Sequence, residues 1–317
     1  MDPKMRPLSE TAGYRQHWVE ANGQRLRAET FGRPECPAVL LIMGNSAPGL
    51  VWPDGFCRSL SERNRFVVRF DQRDTGLSSY VDFAASPYTL DHLVDDAVAL
   101  LDALGIRRAN LVGLSQGGVV AYRMAMRAPE RSSALTVMMS SADLRPKNDA
   151  FTGAPVREGE LPRPARSYVD AVIALNSVAS ASDKEVAHNF VENFRLAKGA
   201  LSPFNEDDWF QMGRAMAALP TLREDRLQAR LANHSNHSKA QMATPALTPA
   251  DLRNLKLPVQ LIHGAQDPVF PMPHADWAAK QIPNSELVVI DRMGHALDRA
   301  FFDEIITAMT DFWRRRT

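Results

Sequence analysis

A serine held between two glycines constrains the fold of this chain more than any other feature. The G-x-S-x-G motif around Ser115 follows an apolar run at 109–114 and precedes a helical pattern at 116–128. A strand, a sharp turn and a helix in this order form a nucleophile elbow, which lifts the serine hydroxyl above the sheet. The glycines allow close approach of strand and helix. Ser115 is therefore the predicted nucleophile, and the backbone N–H of Gln116 is a predicted oxyanion donor.

Composition and charge narrow the class of protein. A length of 317 residues suits one large α/β domain or a core with an inserted subdomain. The 37 basic and 37 acidic residues balance, which gives no electrostatic case for binding nucleic acid or an anionic membrane. Two cysteines, Cys36 and Cys57, are too few for a disulfide framework and suggest free thiols in a reducing compartment. With no signal-like N-terminus and no apolar stretch of ~18 residues, we expect a cytoplasmic protein.

Apolar runs alternate with helical patterns along most of the chain. The Asn22-Gly23 pair predicts a hairpin turn within 14–31. A continuous apolar run, typical of a strand buried on both faces, lies at 37–43. Further strand patterns lie at 66–70, 109–114, 134–139, 257–263 and 286–290. Helical periodicity covers 90–104, 116–128 and 301–313. This alternation predicts an α/β fold with a mostly parallel eight-stranded sheet and helices on both faces.

The stretch from about 144 to 248 breaks this alternation. It is largely helical in pattern, shows no buried strand and is too long for an ordinary loop. We interpret it as a helical cap inserted into a core whose two parts are 1–143 and 249–317. Its large apolar residues would mostly pack the cap, and a few would be free to face the active site.

A serine nucleophile needs a base, and the base needs an orienting acid. On an elbow fold these follow in the order serine, acid, histidine. Asp267 follows the strand pattern at 257–263, and His295 follows the one at 286–290. Both lie at the carboxyl edge of the sheet, where open α/β sheets bind ligands. We predict that Asp267 orients His295 and that His295 removes the Ser115 proton. Asp143, after the strand pattern at 134–139, is the alternative acid.

The remaining histidines suit other roles. His263 ends a strand pattern and His274 lies in a proline-rich loop, so structural or surface positions are expected for both. The spacing of His234 and His237 superficially resembles that of metal ligands. No acidic or cysteine residue lies nearby in sequence, so a polar cap segment is the better interpretation, and no metal or cofactor is expected.

The loop after the strand pattern at 37–43 should supply the second oxyanion donor. By position, the backbone N–H of Asn45 is the candidate. Trp52 is close enough in sequence to line the substrate pocket, although a core or surface position is equally open.

Taken together, these motifs resemble those of the α/β-hydrolase superfamily over nearly the whole chain. They are also similar to one branch, the aclacinomycin methylesterase-like hydrolases of anthracycline biosynthesis. Many relatives in the superfamily carry glycine at the position of Asp74, whereas this branch resembles the present sequence. The matching stretches are 41–45, 52–53, 70–78, 82–85, 113–115 and 293–297.

The resemblance implies that Ser115, Asp267 and His295 form a triad and that Asn45 and Gln116 donate backbone N–H groups to an oxyanion. The implied activity is hydrolysis of carboxylic esters through an acyl-enzyme, without a cofactor. A bulky hydrophobic ester, with a methyl ester as one candidate, is the implied substrate. Alternatives are a lactonase, carbon–carbon hydrolase or perhydrolase on the same triad, or a non-catalytic small-molecule receptor. The oligomeric state stays open.

Overall fold

The central feature is one sheet of eight strands. A computed structural model describes residues 14–178, 180–219 and 236–316. The strand order is β1-β2-β4-β3-β5-β6-β7-β8, and the six strands from β4 to the β8 edge run parallel to one another. The strands are β1 (Tyr14–Ala21), β2 (Gln24–Phe31), β3 (Ala38–Ile42), β4 (Phe66–Phe70), β5 (Ala109–Leu114), β6 (Ser132–Met138), β7 (Val259–Gly264) and β8 (Ser285–Ile290). The predicted eight-stranded, mostly parallel sheet is confirmed.

Antiparallel pairing is confined to one edge of the sheet, where β1 pairs with β2 and β2 with β4. The β1–β2 connection is a two-residue turn, because Ala21 pairs with Gln24. Both turn residues have positive φ, 50° at Asn22 and 74° at Gly23. That conformation matches the twist of a hairpin and favours Asn-Gly, so the predicted hairpin is confirmed.

Helices cover both faces of the sheet, which explains why its central strands are apolar throughout. Neighbouring residues of one strand pack into opposite layers: Leu40 and Leu111 face one core cluster, and Leu41 and Val112 face the other. Helices α2 (Leu90–Ala103) and α3 (Gln116–Arg127) cover the first layer. Helix α1 (Asp54–Glu62) and the C-terminal helix Phe302–Arg316 cover the second. No described helix is both long and apolar enough to cross a membrane.

Between β6 and the short helix Pro249–Arg253, the described residues form helices and no strand. Residues 236–242 are also helical, and the helix Pro273–Gln281 follows β7. The division into core and cap at 144 and 248 stays a prediction. The N-terminal residues 1–13 and His234 lie outside the described residues. The four helices between β6 and residue 219 are α4 (Arg145–Thr152), α5 (Arg166–Asn176), α6 (Asp183–Ala197) and α7 (Glu206–Ala218).

The loop after β4 is tied to the loop after β3. The Asp71 carboxylate accepts hydrogen bonds from the backbone N–H groups of Gly49 (2.8 Å) and Leu77 (3.0 Å). The Gln72 side-chain amide donates to the carbonyl of Met43 (2.9 Å). These buried bonds hold the segment that follows β3 against the sheet edge.

Two buried carboxylates hold the loop after β4. Asp74, with φ 64°, accepts a hydrogen bond from the Tyr88 hydroxyl (2.6 Å). The Arg73 guanidinium forms a bidentate pair with Asp96 at 2.7 and 2.6 Å. Arg73 is 6% exposed and Asp96 is 1% exposed, so water could not solvate either charge if the other were removed.

Replacing Asp96 by alanine is expected to destabilise the fold strongly, because it leaves the Arg73 charge buried and unpaired. The expected loss is about 3–5 kcal/mol in the free energy of unfolding, measured by urea denaturation. Asp95→Ala is the matched control, since Asp95 pairs with Arg127 at the surface. That control should lose less than about 1 kcal/mol. Equal losses in the two variants would contradict a structural role for the buried pair.

Candidate active site

Ser115 lies in a strained backbone conformation between β5 and α3. Its φ of 55° and ψ of −124° fall where residues with a side chain are rarely found. Its N–H donates to the carbonyl of Met138 (3.0 Å), and its carbonyl accepts from the N–H of Gly118 (2.9 Å) and from the Ser140 hydroxyl. These bonds hold the turn and project the Ser115 side chain from the carboxyl edge of the sheet.

Close backbone contacts explain both glycines of the motif. A Cβ atom on Gly117 would lie 2.2 Å from the carbonyl oxygen of Ile42. A Cβ atom on Gly113 would lie 2.3 Å from the carbonyl oxygen of Gly117. Each contact is with backbone, which cannot swing aside, so glycine is required at both positions.

Ser115, His295 and Asp267 form one chain of hydrogen bonds. Nε2 of His295 lies 3.0 Å from Oγ of Ser115, and Nδ1 of His295 lies 2.8 Å from Oδ2 of Asp267. The second Asp267 oxygen accepts from the backbone N–H groups of Val269 (2.8 Å) and Phe270 (2.9 Å). The carboxylate is therefore fixed on both oxygens, and the imidazole is oriented with Nε2 toward the serine.

The environment of Asp267 favours its ionised form. Burial alone would raise the pKa of this carboxyl, but the adjacent His295 and the hydrogen bonds that Asp267 accepts hold the pKa below its usual range. An ionised Asp267 places a negative charge beside the His295 ring, 2.8 Å from its Nδ1.

The alternative acid, Asp143, has a different partner. Its carboxylate is bidentate to the guanidinium of Arg145, at 2.8 and 2.7 Å. It also accepts the backbone N–H of Arg145 (3.0 Å). The structure thus brings Asp267, and not Asp143, into hydrogen-bond contact with His295.

His263 and His274 are buried near Asp267, and their rings form hydrogen bonds with backbone carbonyls and a serine hydroxyl. Nε2 of His263 donates to the carbonyl of Phe270 (2.7 Å). Nε2 of His274 donates to the carbonyl of Pro162 (2.8 Å), and its Nδ1 lies 2.7 Å from the Ser141 hydroxyl. These bonds cross-link loops around the site.

The loop that carries His295 packs against the end of α6. The backbone N–H of His295 donates to the carbonyl of Ala197 (2.8 Å). A Cβ atom on Gly294 would lie 1.9 Å from the carbonyl oxygen of Lys198, so the two backbones are in direct contact. Three residues after His295, the Asp298 carboxylate accepts a hydrogen bond from the indole N–H of Trp209 (3.0 Å) in α7. Sequence reasoning missed these contacts, because no local pattern reports them.

The two predicted oxyanion donors lie on either side of Ser115. Gln116 begins α3, and the loop containing Asn45 touches the serine: a Cβ atom on Gly44 would lie 3.0 Å from Cβ of Ser115. Within the described part of the chain, no acceptor is found for the backbone N–H of either Asn45 or Gln116. Their position as oxyanion donors stays a prediction.

Trp52 is fully buried in the second core cluster. Its ring stacks on Phe56 with centroids 5.5 Å apart, and its carbonyl accepts from the guanidinium of Arg69. Of the pocket, core and surface positions that the sequence left open for Trp52, the structure shows a buried core position. Its contact with substrate stays a prediction.

His237 is also buried, and it binds backbone groups. Its Nδ1 accepts the backbone N–H of Ser46 (3.1 Å), and its Nε2 donates to the carbonyl of Arg73 (2.8 Å). Sequence reasoning placed this histidine in a polar cap segment, since nothing in its neighbours signals burial. Among residues 14–178, 180–219 and 236–316, no group of three or more His, Cys, Asp or Glu side chains is arranged to hold a metal.

Comparison with known proteins places the chain in a family. The alpha/beta hydrolase fold family matches residues 37–297. The chain belongs to the α/β-hydrolase family. The hydrolase is 35% identical to the rhodomycin D methylesterase of Streptomyces sp. strain C5, over 92% of its own length and 96% of the relative's. It is 34% identical to the rhodomycin D methylesterase of Streptomyces peucetius, with the same coverage.

A solved structure extends this likeness to three dimensions. A hydrolase from Pseudomonas aeruginosa superimposes with a TM-score of 0.66 at 25% identity, covering 94% of this chain and 97% of that one. The resemblance to a methylesterase-like branch, predicted from the motifs, is confirmed. The methylesterase relatives support the predicted class, a carboxylic-ester hydrolase.

The hydrogen-bond chain predicts unequal effects for two aspartates. Asp267→Asn should present the wrong tautomer of His295 to the serine and slow the reaction of Ser115 with a fluorophosphonate by about 10⁴-fold, following the triad template. Labelling rates followed by intact-protein mass spectrometry measure this. Asp143→Asn is the control and should react at nearly the rate of the unaltered protein. A reversal of the two results would identify Asp143 as the acid.

Proposed function

We propose that this hydrolase is a serine esterase that cleaves carboxylic esters through an acyl-enzyme on Ser115. The observation that carries the proposal is the continuous hydrogen-bond chain from Oγ of Ser115 through His295 to Asp267, at 3.0 and 2.8 Å. A serine on a strained turn, paired with an oriented histidine, is arranged for nucleophilic attack on a carbonyl.

The reaction follows from these positions. His295 accepts the Ser115 proton as Oγ attacks the ester carbonyl, and the negative charge that forms on the carbonyl oxygen is stabilised by the backbone N–H groups of Asn45 and Gln116. Collapse of this intermediate expels the alcohol, which takes the proton from His295. Water, deprotonated by His295, then attacks the acyl-enzyme. His295 returns this proton to Oγ of Ser115 as the bond to the acyl group breaks and the acid is released. Asp267 stabilises the imidazolium in both halves of the cycle.

The substrate class is drawn from the relatives and from the helices over the site. The two relatives that are 35% and 34% identical to this chain are methylesterases named for rhodomycin D. Four partly buried apolar side chains of α6 and α7 pack against the core cluster that contains Met293 and Leu297, on either side of His295 in sequence: Phe190, Phe194, Met212 and Met216. Three of them, Phe190, Phe194 and Met212, also pack against the small cluster that contains Ala296, the residue after His295. Apolar side chains near His295 favour an ester with a bulky hydrophobic acyl part, and a methyl group is the proposed alcohol part.

Replacing the nucleophile tests the reaction. Ser115→Ala should leave the fold intact and lower kcat for ester hydrolysis by about 10⁶-fold, because no other group forms the acyl-enzyme. The measurements are ester turnover and the thermal unfolding midpoint of the purified variant. Near-normal turnover in a folded variant would place the nucleophile elsewhere.

A substrate panel tests the proposed pocket. Esters of hydrophobic or aromatic acids should have higher kcat/KM than acetate esters, since burying apolar acyl surface contributes roughly 25 cal/mol per Å². The panel compares each acid as its methyl and p-nitrophenyl ester, which separates the acyl preference from the leaving group. Equal or higher kcat/KM for acetate with both alcohols would contradict a large apolar pocket without bearing on the triad.

A further inference from the structure

The helical residues 236–242 lie across the loops that flank Ser115, although they are more than a hundred residues away from them in sequence. The side chain of Ser238 accepts a hydrogen bond from the Asn45 amide (3.2 Å). The side chain of Gln241 accepts one from the Gln116 amide (2.8 Å). Both residues proposed as oxyanion donors are thus contacted by this one segment.

Within the segment, the side chain of His237 bonds to the backbone of Ser46, the residue after Asn45. His237 is 1% exposed, and each ring nitrogen has one partner: the N–H of Ser46 on Nδ1 and the carbonyl of Arg73 on Nε2. Because a backbone N–H can only donate and a carbonyl can only accept, the ring is a neutral imidazole with its proton on Nε2. Burial also lowers the pKa of His237, which keeps Nδ1 free to accept.

The partner of His237 is a residue under strain. Ser46 has a φ of 57°, in the left-handed region that a serine adopts at a cost. The N–H of Ser46 belongs to the peptide that joins Asn45 to Ser46, so a hydrogen bond to it fixes the peptide plane next to the one that carries the Asn45 N–H. Such a conformation persists only where surrounding contacts hold it, and the bond to Nδ1 is the contact made by this peptide N–H.

We propose that His237 is a positioning residue: by accepting the Ser46 N–H, it holds the Asn45 backbone N–H in the direction needed to stabilise the oxyanion. The proposal rests on the proposed esterase function. In this arrangement the histidine touches no reacting atom. The hydrogen bond to the carbonyl of Arg73 fixes the ring, and the fixed ring holds the N–H of Ser46 in place.

Two substitutions separate the two bonds of the ring. In His237→Asn, the short amide places an acceptor near the position of Nδ1 and loses the reach to Arg73. In His237→Gln, the longer amide reaches the position of Nε2 and loses the bond to Ser46. Both replacements are polar and no larger than histidine, so they are the variants most compatible with folding. His17→Gln is the matched control, since His17 is a partly buried histidine in β1 that bonds to the Thr30 hydroxyl.

The proposal predicts different kinetics for the two variants. His237→Gln should lower kcat by about 10- to 100-fold with little change in KM, less than the 10²–10³ expected for removing an oxyanion donor outright. Inhibition by a trifluoromethyl ketone, which forms an oxyanion on adding to Ser115, should weaken by the same factor, whereas competitive inhibition by the product acid should not. His237→Asn should retain most of the activity, and His17→Gln should match the unaltered protein.

Amide hydrogen exchange provides a readout independent of turnover. Exchange in peptides covering 43–50 should be about tenfold faster in His237→Gln than in His237→Asn, the difference expected for one net hydrogen bond. Equal exchange in the two variants, or a larger loss of kcat in His237→Asn than in His237→Gln, would overturn the positioning role. Failure of the unaltered protein to hydrolyse any ester or to be labelled at Ser115 would instead overturn the proposed function, while the exchange result still decides whether His237 holds the loop.

Discussion

The strained backbone of Ser115 is the constraint on which the rest of the site depends. A residue with a side chain is held at positive φ because its N–H and carbonyl are bound by the neighbouring strand β6, by α3 and by Ser140. Those partners occupy their positions only because β3, β5 and β6 are adjacent and parallel in the sheet. The same packing brings the backbone of β3 to within touching distance of Gly117. The order of the strands therefore determines the backbone conformation of Ser115 and the position of its hydroxyl.

The loops of the site are held by helices from the stretch between β6 and β7 as well as by the sheet. The backbone of His295 donates to the end of α6, and the side chains of Asn45 and Gln116 bond to Ser238 and Gln241. A carboxylate just beyond the histidine, that of Asp298, accepts from Trp209 of α7. The loops that carry His295 and Asn45 are thus both held by helices from this one stretch of the chain.

The sequence predicted the sheet well because its central strands are buried on both faces and are therefore rich in apolar residues. The elbow was predicted because its glycines reflect contacts that tolerate no side chain. Asp267 and His295 were located by chain order and by their position after strands. The structure adds the bond lengths that distinguish Asp267 from Asp143, whose partner Arg145 is only two residues away. The role of His237 escaped the sequence, since its partners Ser46 and Arg73 are distant in the chain and bind through backbone atoms, which leave no trace in residue type.

The polar contacts of the 236–242 segment bear on how such an enzyme diversifies. If the helical stretch only shaped a pocket, it would be exchangeable between relatives as a specificity module, with the catalytic loops unaffected. Here the stretch ends in residues whose side chains bond to Asn45, Ser46 and Gln116. A graft that replaced the whole stretch would remove those bonds along with the old pocket. Because Ala197 at the end of α6 also holds the backbone of His295, a graft that leaves the catalytic loops in place has to keep that contact as well as residues 236–242.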